Sequence, residues 1–311
     1  MRAFIFPGQG SQAVGMGKAL ADASAVAREV FQEVDDALGQ HLFRLMTEGP
    51  AEELMLTENS QAAIMANAVA TLRVLEKEGG IRLADKVDYV AGHSLGEYTA
   101  LCAAGALDLP TTARLLKHRG LAMQAAVPVG EGAMAALLGA DLEKARAIAD
   151  AASEGEVCTV ANDNDPSQVV LSGAKGAIDR AIATAKDFGA KKAVLLPVSA
   201  PFHCALMQPA ADAMEKALAD VRIDAPLVPV FANVTASPVG DPDTIRRLLV
   251  EQVTGMVRWR ESVLAMADTG VERFVEFGAK VLTAMVKRTV ADVDTTSVMS
   301  MDDIEALLKT L

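Results

Sequence analysis

At 311 residues the chain is long enough for one large α/β domain, or for a large domain carrying a smaller one. Its 51% apolar and 23% charged residues exclude a disordered chain and suit a folded enzyme. A net charge of −12 argues against general nucleic-acid binding and against adhesion to anionic membranes, so an acidic partner must find a local basic patch.

Cys102, Cys158 and Cys204 show neither paired nor metal-ligand spacing, which points to a reducing compartment, to three small buried apolar side chains and to no metal. Met1–Phe6 runs straight into Pro7-Gly8, too short a run for a secretory core. The longest uncharged stretch, 193–211, is broken by Pro197, Pro201, His203 and Pro209, so it reads as the wall of a site and not as a membrane span. The expected location is cytoplasmic.

In chain order, Ala3–Phe6 predicts a strand ending in Pro7-Gly8-Gln9-Gly10-Ser11-Gln12. No Lys-Ser/Thr follows, and Gly8, Gly10 and Gly15 miss dinucleotide spacing, so this is a tight loop presenting the amide of Gln9 or Gln12. Helical periodicity covers 18–38 and 61–75. The apolar run 87–91 predicts a strand, 98–107 favours helix, and between them stands Gly92-His93-Ser94-Leu95-Gly96. A strand, a sharp turn and a helix make a nucleophile elbow, with Ser94 exposed at the tip and the Leu95 N–H free to face an oxyanion. A Cβ at Gly92 or Gly96 would strike the neighbouring strand or helix. The bland alternative is a serine that only caps the helix. Residues 111–125 predict a helix with a basic face of Arg114, Lys117, His118 and Arg119.

Between 127 and 198, strand-like runs at 133–138, 157–160, 168–171 and 193–196 alternate with helical runs at 142–152 and 177–188. That order is a split βαβ, ferredoxin-like arrangement inserted into a larger domain made of 1–126 and 199–311. The larger part is expected to be an α/β-hydrolase-like fold with a short parallel sheet. Its second half predicts helices at 210–219, 244–253, 259–266 and 279–286, and strands at 228–231 and 273–276.

A nucleophilic serine needs a base. His41 lies in a segment expected to end a helix and His118 on a charged helix, both expected to be exposed, and His93 lies inside the elbow with its ring expected to point away from the serine's exposed side. His203, in the proline-fixed apolar segment Ser199-Ala200-Pro201-Phe202-His203-Cys204, is the candidate that remains.

Taken together, the blocks 6–12, 92–97, 198–203, 257–259 and 276–278 resemble, in order and over nearly the whole chain, the malonyl-CoA:acyl-carrier-protein transacylase family. The resemblance implies acyl transfer from malonyl-CoA to acyl carrier protein for fatty-acid synthesis, with no metal or redox cofactor. It implies Ser94 as acylated nucleophile, His203 as base, and Gln252 orienting the histidine through its side-chain carbonyl, although Met256 stands where the family generally has proline. The N–H groups of Gln9 and Leu95 would form the oxyanion hole. Arg119 would pair with the malonyl carboxylate, which suits a bidentate guanidinium. Phe202 resembles the bulky residue of malonyl-selective members. Asp163 and Asp165 depart from the family's less acidic loop at 161–168, and the expectation is that they point away from CoA or that this loop touches no phosphate. Lys191, Lys192, Lys280, Lys287 and Arg288 are candidates for carrier docking. These residues separate neither fatty-acid from polyketide supply nor, by the elbow alone, transferase from thioesterase.

Overall fold

The computed structural model describes residues 1–311. In chain order the strands are β1 (Arg2–Phe6), β2 (Tyr89–Gly92), β3 (Gly132–Leu138), β4 (Cys158–Asp165), β5 (Gln168–Ala174), β6 (Lys192–Leu195), β7 (Val230–Ala232), β8 (Ser237–Val239), β9 (Arg273–Phe277) and β10 (Asp294–Val298). They form two sheets, ordered β10-β9-β1-β2-β7-β8 and β4-β5-β3-β6. The first is parallel apart from the β7–β8 hairpin, and the second is antiparallel throughout.

β1 shows why the first sheet is covered on both faces. Phe4 and Phe6 enter the main core with the long helix Thr57–Glu78, while Ala3 and Ile5 enter a second core around Trp259 and Phe274. Alternation along one strand therefore feeds two helical layers. The antiparallel sheet has its own core, built from Leu137, Ile148, Leu171 and Ile178 with many alanines. No helix is long and apolar enough to cross a membrane.

The structure departs from the sequence reading in several places. The helix expected over 18–38 breaks at Ser24, whose extended backbone lets Oγ accept the N–H of Ala27 and start a second helix, Ala25–Leu38. His41 is exposed and begins the helix Leu42–Glu48 instead of ending one. β8, the polar edge strand β10 and the short helix Ala51–Met55 carry little apolar periodicity and were not expected, and the helix Met301–Leu308 was not expected either, although Met301, Ile304, Leu307 and Leu308 fall on one face. The Asn/Asp stretch read as a loop is the second half of β4, with two bulges.

Candidate active site

β1 and β2 pair in parallel with Phe6 opposite Gly92, so the loop after β1 and the elbow after β2 emerge side by side at the carboxyl edge of the sheet. Ser94 holds φ 54° and ψ −112°, a strained conformation for a residue with a Cβ. Asn233 pins the turn from both sides. Its Oδ1 accepts the Ser94 N–H at 2.8 Å and its Nδ2 donates to the Gly92 carbonyl at 2.7 Å. A Cβ on Gly92 would lie 1.9 Å from the Gly96 carbonyl, and one on Gly96 would lie 2.3 Å from the Phe6 oxygen. The capping alternative fails, because the Ser94 side chain makes no cap hydrogen bond to the helix Leu95–Ala103.

Ser94 Oγ instead lies 2.7 Å from His203 Nε2. His203 is itself at φ 57°, so both partners sit in left-handed backbone. Its Nδ1–H donates to the main-chain carbonyls of Gln252 (2.9 Å) and Gly255 (3.1 Å), which leaves Nε2 as acceptor for the serine hydroxyl. Burial, followed by the charge of Arg119, depresses the His203 imidazole to about 3, so it is neutral. The expectation for Gln252 is thereby corrected: its backbone, not its side chain, orients the histidine. The side chain is occupied elsewhere, for a reason that lies in Arg119.

Arg119 is 1% exposed, on the inward face of the helix Leu109–Ala125, while Arg114 and His118 are exposed. Gly120 beside it lets that helix approach the backbone of Thr57 and Glu58 so closely that a Cβ would lie 2.6 Å from Thr57 O. Arg119 Nη1 donates to Gln61 Oε1 at 2.8 Å. Nη2 donates to Gln252 Oε1 at 2.9 Å and lies 3.2 Å from Ser94 Oγ. Its Nε has no partner, and its hydrogen-bond acceptors include no carboxylate. Gln252 turns its Nε2 toward Ser94 O (3.0 Å) and Glu97 Oε2 (2.9 Å). Sequence reasoning missed Gln61, Glu97 and Asn233. The one available signal was Glu97, a lone charge within an otherwise apolar helical run.

Ser94, His203, Arg119, Gln9, Phe202 and Asn162 line one cleft of about 420 Å³. Leu95 lines it too, and neither the Gln9 nor the Leu95 N–H is donated within the chain. His93 also lines the cleft, but its Nε2 is engaged by Asn164 Oδ1 at 2.8 Å and it makes no bond to Ser94. Asp163 and Asp165 alternate with these asparagines along β4 and face the other way. Asp163 pairs with Arg260 (2.9 Å) and Asp165 with Arg288 (2.8 Å). Arg288 is thus paired within the chain although partly exposed, whereas Lys191, Lys192, Lys280 and Lys287 are exposed and in no ion pair. All three cysteines are free and buried.

Fold and site together define an acyltransferase. The model for the acyl transferase domain matches residues 3–303. The malonyl CoA-acyl carrier protein transacylase of Escherichia coli K12 is 45% identical over 310 residues, covering 99% of this chain and 98% of its own. The transacylase of Bacillus subtilis 168 is 42% identical, covering 99% and 96%. Among solved structures, an acyl-carrier-protein S-malonyltransferase from Bartonella henselae superposes with a TM-score of 0.97 at 52% identity, covering 99% and 98%. A malonyl-transacylase solved in complex with a type II polyketide acyl-carrier protein gives 0.96 at 40% identity, covering 100% and 99%. The chain belongs to the acyl transferase domain family.

Proposed function

We infer that this chain transfers a malonyl group from malonyl-CoA to the phosphopantetheine thiol of acyl carrier protein, supplying fatty-acid synthesis, through an acyl-serine intermediate. The observation that carries this reading is a buried guanidinium 3.2 Å from a serine that is itself 2.7 Å from a neutral histidine. In the first half-reaction the Ser94 proton passes to His203 Nε2 while Oγ attacks the thioester carbonyl. The N–H groups of Gln9 and Leu95 receive the oxyanion. Collapse expels the CoA sulfur, which takes the proton from His203. The second half runs the same steps in reverse with the phosphopantetheine thiol. The Gln252 carbonyl holds the imidazole in its reactive tautomer.

Arg119 takes the malonyl carboxylate, and that contact also affects the base. After burial, the charge of Arg119 is the next largest influence depressing His203. A carboxylate seated directly on the guanidinium offsets that charge beside the imidazole, and an acetyl group brings none. Phe202 walls the acyl site, which disfavours an added α-methyl by about 1–3 kcal/mol. These transfers need no metal or redox cofactor.

The same reading extends to the architecture: 1–126 and 199–311 as one α/β-hydrolase-like catalytic domain, and 127–198 as an inserted ferredoxin-like domain. The strand order β4-β5-β3-β6 and a separate alanine-rich core support the second part.

Mass spectrometry after brief exposure to malonyl-CoA tests the chemistry. Wild type should carry a malonyl adduct that Ser94→Ala lacks, and Arg119→Ala should lose malonyl while accepting acetyl. Stoichiometric release of free malonate without an acceptor would sink the transferase reading in favour of a hydrolase.

A further inference from the structure

Behind Ser94 lie two buried side chains of opposite charge, Arg119 at 1% and Glu97 at 2% exposure. They share no direct hydrogen bond. The amide of Gln252 stands between them, accepting from Arg119 Nη2 at 2.9 Å and donating to Glu97 Oε2 at 2.9 Å. The Asn233 N–H also donates to Oε2 at 2.9 Å, so both donors converge on one oxygen and Oε1 is left to carry a proton. The other titratable groups near this carboxyl stay uncharged. Tyr98, next along the helix, is pushed up by burial, and His203 is held neutral.

We propose that Glu97 is the counter-charge of Arg119 before substrate arrives, and that it takes up one proton from solvent as a malonyl carboxylate replaces it. The proposal rests on the reading of Arg119 as the malonyl anchor. A loaded site with Glu97 ionised would hold two carboxylates and one guanidinium out of water, an excess negative charge that a proton relieves. The substrate carboxylate lies directly on the guanidinium, whereas Glu97 is one amide removed, so Glu97 is the group that protonates. Burial already holds its carboxyl up at about 7, within reach of such a change near neutrality. Glu97 is thus a positioning and charge-balancing residue that never touches the acyl group.

The experiment is proton uptake, read by an indicator dye in weak buffer at pH 7 as excess malonyl-CoA loads stoichiometric enzyme, with the malonyl adduct scored by mass in the same sample. Wild type should take up about half a proton per malonyl-serine, and Glu97→Gln none. Ionisation of the released CoA thiol gives protons up, so it cannot imitate uptake. In parallel, kcat/KM for malonyl loading should fall above pH 7, approaching about tenfold per pH unit, in wild type but not in Glu97→Gln. Loading without uptake in wild type, or equal uptake in Glu97→Gln, overturns the proposal. If Glu97→Gln does not fold, the wild-type uptake decides alone. Arg119→Ala separates the two claims: malonyl loading as fast as wild type would remove the anchor itself, whereas Arg119-dependent loading without uptake would remove only Glu97.

Discussion

An alanine methyl at Gly92 would sit 1.9 Å from backbone atoms of Gly96, and one at Gly96 would sit 2.3 Å from the Phe6 carbonyl. Neither contact involves a side chain that can rotate away. Each substitution should therefore lower stability by roughly 3 kcal/mol or more in urea unfolding, with the nucleophile lost even where folding survives. His203 supplies a pH prediction. Its folded-state value, about 3, lies below the ordinary 6.5, so the unfolded chain binds the extra proton first and stability falls as pH drops from 6.5 toward 3. Glu97 has the opposite sign: held up at about 7, it costs stability as pH rises from 4.5 through 7. The two overlap, so the histidine is isolated by difference. Between pH 7.5 and 4.5, wild type should lose about 2–3 kcal/mol relative to His203→Gln. At this scale the sequence was legible wherever a residue type has few uses. Gly92, Ser94 and His203 could be read directly, since an elbow admits only small neighbours and four histidines leave few bases. Gln252 could not, because the group that orients His203 is a backbone carbonyl, and any residue has one. Gln61 was hidden because its partner, Arg119, comes from a different helix, and the role of Glu97 was hidden because the donors it accepts from, Gln252 and Asn233, lie far along the chain.

β4 carries two jobs on its two faces. Asn162 and Asn164 face the cleft and His93, while Asp163 and Asp165 face Arg260 and Arg288. The sequence reading places these four polar residues in a loop. They are instead buried, and the strand continues because Asp163, Asn164 and Asp165 find side-chain partners across the junction and Asp163 N–H donates to Val257 O at 3.0 Å. Period 2 was present in the alternation of Asn and Asp, but a strand signal is normally sought in apolar residues. Burial pushes Asp163 up, and Arg260 offsets it. Asp163 is fully buried whereas Arg260 is a quarter exposed, so the two partners should not be equivalent. Arg260→Ala strands a carboxylate and should cost about 3 kcal/mol or more, while Asp163→Asn frees an arginine that can reach water and should cost less. Chemical unfolding of both single variants and the double variant measures the asymmetry, and equal costs would contradict it.

Over the whole molecule, a chain of net charge −12 can receive an acidic partner only through a local positive patch. Lys191, Lys192, Lys280 and Lys287 are exposed and available for that role, whereas Arg288 is tied to Asp165. Lys280→Glu combined with Lys287→Glu should raise the KM for carrier protein by about threefold or more at low salt and far less at 0.5 M, with malonyl-CoA loading unchanged. Arg288→Glu should instead reduce stability, because it sets a carboxylate against a buried one. The two-sheet plan was legible from the change of texture at 127 and 198, since alanine-rich helices alternating with short strands differ visibly from the long helices of the remainder. The edges were not. β8 and β10 are polar, and hydrogen bonding to one neighbour suffices to hold them.

The pairing across β4 bears on how pieces of this protein can be exchanged. Residues 127–198 look like a cassette, with a separate sheet and core. Yet Asp163 and Asp165 answer to arginines at 260 and 288, and residues 161 and 163 bond the backbone at 257. A chimera that imports only the small unit leaves those arginines facing foreign side chains and the elbow histidine without Asn164. One that also carries 257–288 brings the ionic partners along. The unit of recombination is therefore two segments that are remote in sequence and adjoin in space.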